Sequence, residues 1–294
     1  MSGAAVIQTL VGGLATGCIY SLAALGFVLI YKATEVINFA QGELMMVGAF
    51  AALALKELVG LPFWLAALLA VGAVAIAGAA INRLVLRPII GEQPFAIVMA
   101  TIGLGYLLRS AVALVPGWGT DTHALDTPFT GKIVRVGEIA IAQDNLMVIV
   151  AAVLTVSVLY VFFQFTRAGV AMQAVSQNQL AASFVGIRVR VMFSAAWALG
   201  AGIAALAGVL LAPLTFVYIN MGFIGLKALP AAVLGGFGSI PGALVGGLVI
   251  GVTEAYAARY LPDGVQDSVA YALLLIVLLV RPQGLFGVSL KKRV

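Results

Sequence analysis

Long apolar runs separated by short polar interruptions set the pattern of this chain. Scanned with a window of roughly 20 residues, the length an α-helix needs to cross a bilayer, it shows six uninterrupted runs at about 5–30, 62–82, 95–115, 145–165, 193–212 and 268–281. Three further stretches, about 36–56, 224–238 and 240–258, are shorter and are interrupted by Gly, Pro, Asn or charge. The pattern predicts an all-α fold. It is a polytopic transmembrane helix bundle of eight or nine crossings, some broken or short, forming a single domain over residues 1–294. No Lys or Arg precedes Lys32, so the first run lacks the basic start of a signal peptide and reads as a retained helix.

Composition narrows the class. The 294 residues are 63% hydrophobic and only 9% charged, against about 25% charged in soluble domains, so soluble, nucleic-acid-binding and disordered classes fall away and the lipid bilayer is the expected surrounding. One cysteine, Cys18, and one histidine, His123, leave neither a disulfide nor a His/Cys metal cluster. The sixteen Lys and Arg fix an orientation, because positive charge collects on the cytoplasmic side. With the N-terminus outside, ten fall inside: Lys32, Arg83, Arg87, Arg167, Arg188, Arg190, Arg281, Lys291, Lys292 and Arg293. Four fall outside, Lys56, Lys132, Arg135 and Arg259, and two, Arg109 and Lys227, lie within predicted helices. The C-terminus is then cytoplasmic. Residues 116–144 form an external loop whose alternating segment IVRVGEIAI fits either a small hairpin or irregular chain. Residues 166–192 form a cytoplasmic loop with a helical pattern running through Met172, Val175, Ala182 and Val185.

No lysine stands in a GxxxxGK[ST] context, so the chain has no phosphate-binding loop, and no catalytic or metal constellation is visible. Three segments carry candidate function. In VINFAQGE, Val36–Glu43, the polar residues Asn38, Gln41 and Glu43 fall at membrane depth beside Gly42. Two readings fit: a broken helix lining the route of a zwitterionic solute, or a helix start with Asn38 as cap and Glu43 against the dipole. In Gly225–Gly251, the glycines at 238, 242 and 246 repeat every four residues, which gives a flat stripe for close packing. Gly235, Gly236 and Gly238 with Pro241 disfavour continuous helix and predict a break near the membrane mid-plane. Ile219–Asn220 echoes Ile37–Asn38 at an offset of 182, which adds Asn220 to the candidate route. In the cytoplasmic loop, Ala181 and Ala182 are followed four positions on by Gly186 and then Ile187. That spacing predicts a short helix, a glycine stop and an exit to the next span, with Arg167 and Gln177 ahead of it, suited to docking in a groove of a cytoplasmic partner.

Taken together, VINFAQGE, QAVSQNQLAASFVGI with the following ALGAGIAALAGVL, and LPAAVLGGFGSIPGALVGG resemble the permease subunits of branched-chain amino acid ATP-binding-cassette importers, the LivH type. The resemblance spans nearly the whole chain. The cytoplasmic loop looks like the family's coupling segment, and departs from it at Leu180, where an acidic residue would stand. The resemblance implies a bacterial inner-membrane assembly with no cofactor bound by this chain. Its partners would be a second, LivM-like permease or another copy of itself, two cytoplasmic ATPases that bind the ATP, and an external solute-binding protein. Leucine, isoleucine, valine or another neutral amino acid is the implied cargo. An importer of urea or short amides would share most of these features. An ion-coupled transporter would instead use Glu43, Arg109, Lys227 and Glu254 as coupling groups.

Overall fold

The computed structural model describes residues 3–89, 93–262 and 264–287. The tail cations Lys291, Lys292 and Arg293 lie outside the described residues. In order, the elements are α1 (Gly3–Thr34), α2 (Gln41–Glu57), α3 (Phe63–Ile81, running on through a π turn and a 3-10 turn to Ile89) and α4 (Pro94–Ala113). A hairpin follows, β1 (Ile133–Val136) and β2 (Ile139–Ala142), then α5 (Gln143–Phe165), α6 (Arg167–Gln177), α7 (Gln179–Phe184) and α8 (Val189–Thr215). The chain closes with α9 (Gly222–Leu226), α10 (Ala228–Gly235), α11 (Ile240–Tyr260) and α12 (Gln266–Val280).

Among the described residues six helices are long and apolar enough to cross a membrane: α1, α3 with its extension, α4, α5, α8 and α11. The shorter α2, the α9–α10 pair and α12 complete the bundle. The protein is thus a multi-pass membrane protein. The sequence pattern places its sixth uninterrupted run on α12, yet α12 has 15 residues and the glycine-interrupted α11 has 21. Glycine weakens a helix in isolation by about 1 kcal/mol, but in lipid it lets backbones approach closely. Here a methyl group at Gly17 would stand 2.9 Å from Leu248 Cα, and one at Gly251 would collide with the Gly17 backbone. Gly242 and Gly246 pack likewise against Gly235 and Ala231 of α10. Gly238 is not part of this stripe, since it is exposed ahead of α11 with nothing within 4 Å of a methyl group placed on it.

Burial sorts the layers. The most apolar windows of α1 and α8 are 89% and 78% buried, while that of α4 is 17% buried, so α1 and α8 form the centre and α4 an outer face. Shared grooves identify one end of the bundle. Lys32 lies with Gln173, Gln177 and Gly238 in one groove, and Arg83 and Arg87 lie with Arg188 and Arg190 in another. The break at Gly236–Ser239 therefore sits at this end and not at mid-plane as expected, because α10 is only eight residues long and follows an earlier interruption. At the opposite end the hairpin pairs Ile133 with Ala142 and Val136 with Ile139, turning at Gly137 with φ +61°. Its loop is pinned by Thr127 Oγ1 donating to Asp144 (2.6 Å), by backbone exchange between His123 and Val217 and by Trp118 against Phe50.

Overpacking a filled contact costs about 1–3 kcal/mol, and at Gly251 the obstacle is backbone. Gly251→Val should lower the unfolding temperature of the detergent-purified protein, whereas Gly12→Val, at a position with open space on the partner helix α1, should leave it unchanged.

Candidate functional site

Between α1 and α2 the chain leaves helical geometry at Glu35, whose φ is +57°, and re-enters it only at Gln41. In hydrocarbon an unpaired backbone N–H costs several kcal/mol, and here those at the entry to α2 are met. Phe39 N–H donates to Thr101 Oγ1 of α4 (3.2 Å), and Ala40 N–H donates to Asn38 Oδ1 (3.1 Å). Gln41 N–H donates to the Asn38 carbonyl (3.2 Å). Asn38 Nδ2 in turn donates to Gln41 Oε1 (3.2 Å), and Gln41 Nε2 donates to the carbonyl of Gly200 in α8 (3.1 Å). Asn38 and Gln41 are 0% and 1% exposed, so their polarity is consumed in closing the broken segment and tying it to α8.

Gly42 faces the second interruption, residues 216–227. A methyl group on Gly42 would collide with the Gly222 carbonyl, and one on Gly225 would stand 2.7 Å from Gly42 Cα. The two segments that share an Ile–Asn pair are thereby brought into backbone contact. Asn220 is exposed in the turn that leads into Gly222. Phe216 begins that turn with φ +89° and ψ +159°, a region almost reserved for glycine.

Glu43 sits where these pieces meet. Its carboxylate pairs with Arg109 of α4, accepting from Nε (3.3 Å) and from Nη2. The guanidinium lies 4.1 Å from the centre of the Phe223 ring, a cation–π contact. The pair borders a cavity of about 110 Å³ walled by Phe39, Ile102, Tyr106, Phe223 and Leu226. Of the candidate route residues, Glu43 alone lines this cavity. Arg109, Tyr106 and Phe223 are its further members. Arg109 is the lone charge in the run 95–115, which is the signal by which sequence reasoning finds it. Phe223 and Tyr106 carry none.

A second ionic cluster fastens the α9–α10 junction. Lys227 pairs with Glu254 of α11 and with Asp267 of α12 (2.8 Å), and Tyr20 of α1 donates to Glu254 (2.6 Å). The four ionisable groups singled out in helices are therefore matched, Glu43 with Arg109 and Glu254 with Lys227.

At the other end the loop 166–192 is two helices and not one. Thr166 caps α6 by accepting from Gly169 N–H (3.0 Å), and Asn178 caps α7 by accepting from Ala181 N–H (2.9 Å). Asn178 in extended geometry (φ −158°) is what breaks the expected continuous helix. Met172 and Val175 bury against the bundle, and Arg167 and Gln177 are exposed. α7 ends on Gly186 with φ +86°. Ile187 N–H bonds the Ala182 carbonyl (3.0 Å) and Gly186 N–H that of Ser183 (3.0 Å), the paired bonds of a Schellman stop. Ala182 is buried and Ala181 exposed, while Leu180, Phe184 and Val185 project at 72%, 88% and 76% exposure.

A helical membrane bundle with two facing interruptions and a capped protruding helix at one end defines a transport protein of the permease class. Residues 9–278 match the family model described as branched-chain amino acid transport system / permease component. The chain belongs to that family. It is 35% identical over 296 residues to the high-affinity branched-chain amino acid transport system permease protein BraD of Pseudomonas aeruginosa, covering 96% of this chain and 95% of that one. LivH of Escherichia coli K12, described in the same words, is 35% identical over 297 residues with the same coverage. A probable LivH of Methanocaldococcus jannaschii is 28% identical over 287 residues, 92% of this chain and 89% of its own. The fold is similar to PsaBC from Streptococcus pneumoniae in complex with Fab, at TM-score 0.52 and 14% identity over 94% of this chain and 92% of that one.

Removing one member of a buried ion pair strands the other, at about 3–5 kcal/mol. Glu43→Gln should therefore lower thermal stability in detergent, and adding Arg109→Gln should restore most of it. A double variant no more stable than the single one would show that the two charges do not depend on each other.

Proposed function

We propose that the chain is one permease half of an ATP-binding-cassette importer that moves branched-chain or other neutral amino acids across the bacterial inner membrane. It pairs with a second related permease or with another copy of itself, receives solute from an external binding protein, and is driven by two cytoplasmic ATPases. The N-terminus is external and the C-terminus cytoplasmic, in line with the cations gathered in the grooves around α6, α7 and the end of α3. Family membership over nearly the whole chain favours amino acids over urea or amides, and ATP drive over ion coupling.

The observation that carries the coupling assignment is α7. It is short and capped at both ends, and it presents Leu180, Phe184 and Val185 to solvent at the end where cytoplasmic partners would bind. Arg167, Gln177, Ala181, Ala182, Gly186 and Ile187 frame it. ATP binding draws the two ATPases together, α7 follows, and α8 carries the movement into the bundle. Within the bundle Glu43 faces the solute route, Asn38, Gln41 and Gly42 hold its wall in place, and Asn220 stands at the approach to it.

The test uses the complete importer in proteoliposomes. Phe184→Glu leaves the bundle core untouched and should cost about 2 kcal/mol or more of docking, so that solute uptake and ATP hydrolysis fall together. Gly186→Leu, which forces a side chain into left-handed geometry at about 1–2 kcal/mol, should do the same. Survival of both activities in both variants would remove α7 from the ATPase interface. The purified chain alone should move no solute.

A further inference from the structure

Arg109 has five N–H donors in a rigid plane. Glu43 takes the edge formed by Nε and Nη2, and Phe223 covers one face at 4.1 Å. Among the described residues no other side-chain hydrogen bond involves Arg109, so the second edge, Nη1 with the remaining Nη2 hydrogen, is open. That edge belongs to a residue lining the cavity. Each Glu43 oxygen uses one lone-pair position on Arg109 and keeps another, and its side chain is 11% exposed. Arg109 and Glu43, which line the cavity with side chains 18% and 11% exposed, thus hold side by side unused capacity for a bidentate carboxylate and for an ammonium. The rest of its wall is mostly apolar: Phe39, Ile102, Phe223 and Leu226.

We propose that the Glu43–Arg109 pair is a reader of zwitterions, in which the free edge of Arg109 takes the α-carboxylate of an amino acid and the free lone pairs of Glu43 take its α-ammonium, with the aliphatic side chain against Phe223 and Leu226. The proposal rests on the permease assignment above and refines it by naming the chemistry the site demands. The pair is not broken by its ligand, since each partner uses capacity the other leaves idle. A net-neutral pair meets a net-neutral solute, which limits the desolvation that makes an isolated buried charge costly. Urea and simple amides carry neither charge, so this site selects against them. The site also sets a geometric demand on glycine: a methyl group at Gly222 would stand 2.8 Å from Glu43 Oε2, pressing on the acceptor.

The experiment uses the assembled importer in nanodiscs without binding protein, and reads protection against thermal unfolding by L-leucine, 4-methylpentanoate (no ammonium), 3-methylbutylamine (no carboxylate) and leucinamide. Sites built to bind a polar group reject analogues lacking it strongly, so L-leucine should protect at millimolar concentrations and the analogues should be at least about a hundredfold weaker. Arg109→Lys keeps the charge and a bond to Glu43 but has no second edge. It should weaken leucine protection about tenfold or more while the unliganded unfolding temperature holds. If that variant does not assemble, Glu43→Gln with Arg109→Gln supplies a neutral site, and leucine should no longer protect it. Equal protection by the analogues, unchanged protection in the variants, or no protection of the wild type overturns the proposal. Binding-protein-dependent, ATP-driven leucine uptake is measured in parallel. Uptake without zwitterion selectivity overturns this site alone, and absence of wild-type uptake overturns the permease reading.

Discussion

The structure depends on one constraint: a backbone that leaves helical geometry inside lipid must find every hydrogen-bond partner within the protein. The chain breaks its helices in the bundle at residues 35–40 and again at 216–227, and at the first break the N–H groups of Phe39, Ala40 and Gln41 find the Thr101 hydroxyl, the Asn38 side chain and its carbonyl. α4 and α8 are tied to the start of α2 through the Thr101 hydroxyl and through the Gly200 carbonyl that accepts from the Gln41 side chain. The glycines at 42, 222 and 225 then let the two breaks touch. Bulkier residues would separate them and leave the polar groups of both facing lipid.

Charge follows the same logic. Glu43 and Glu254 are both at depth and both paired with a cation from another helix. The two clusters differ in surroundings. Around Glu254 the donors are Tyr20 and Lys227, and Lys227 is further tied to Asp267, which makes a four-helix fastening. Around Glu43 there is one cation, aromatic walls and a cavity. The first arrangement spends its bonding capacity on the fold, and the second keeps part of it in reserve.

Much of this was legible in the sequence. Fold class, the interruptions and the Gly186 stop follow from residue types whose physics is local: apolar run length, glycine at positive φ, and an Ala–Ala–Gly spacing. Boundaries that depend on a partner helix were less legible. The glycines of α11 mark weakness in isolation and strength against Gly17 and Ala231, and a linear reading cannot see what they face. The split at Asn178 rests on one capping bond that competes with helix continuation. Asn38, Gln41 and Glu43 share polarity and depth in the sequence, yet only Glu43 borders a cavity, because the direction of each side chain is set by α4 and α8, far away in the chain. The pairing of Arg109 with Glu43 is of the same long-range kind.

α8 begins three residues after the Gly186 stop, gives its Gly200 carbonyl to Gln41, and lets Gly208 lie against the Met45 backbone. Its one interior proline, Pro213, comes after all of these contacts. Between the α7 knob and the start of α2 there is therefore a continuous helix with no proline joint, so that a tilt imposed at its α7 end would reach the carboxylate two residues beyond Gln41.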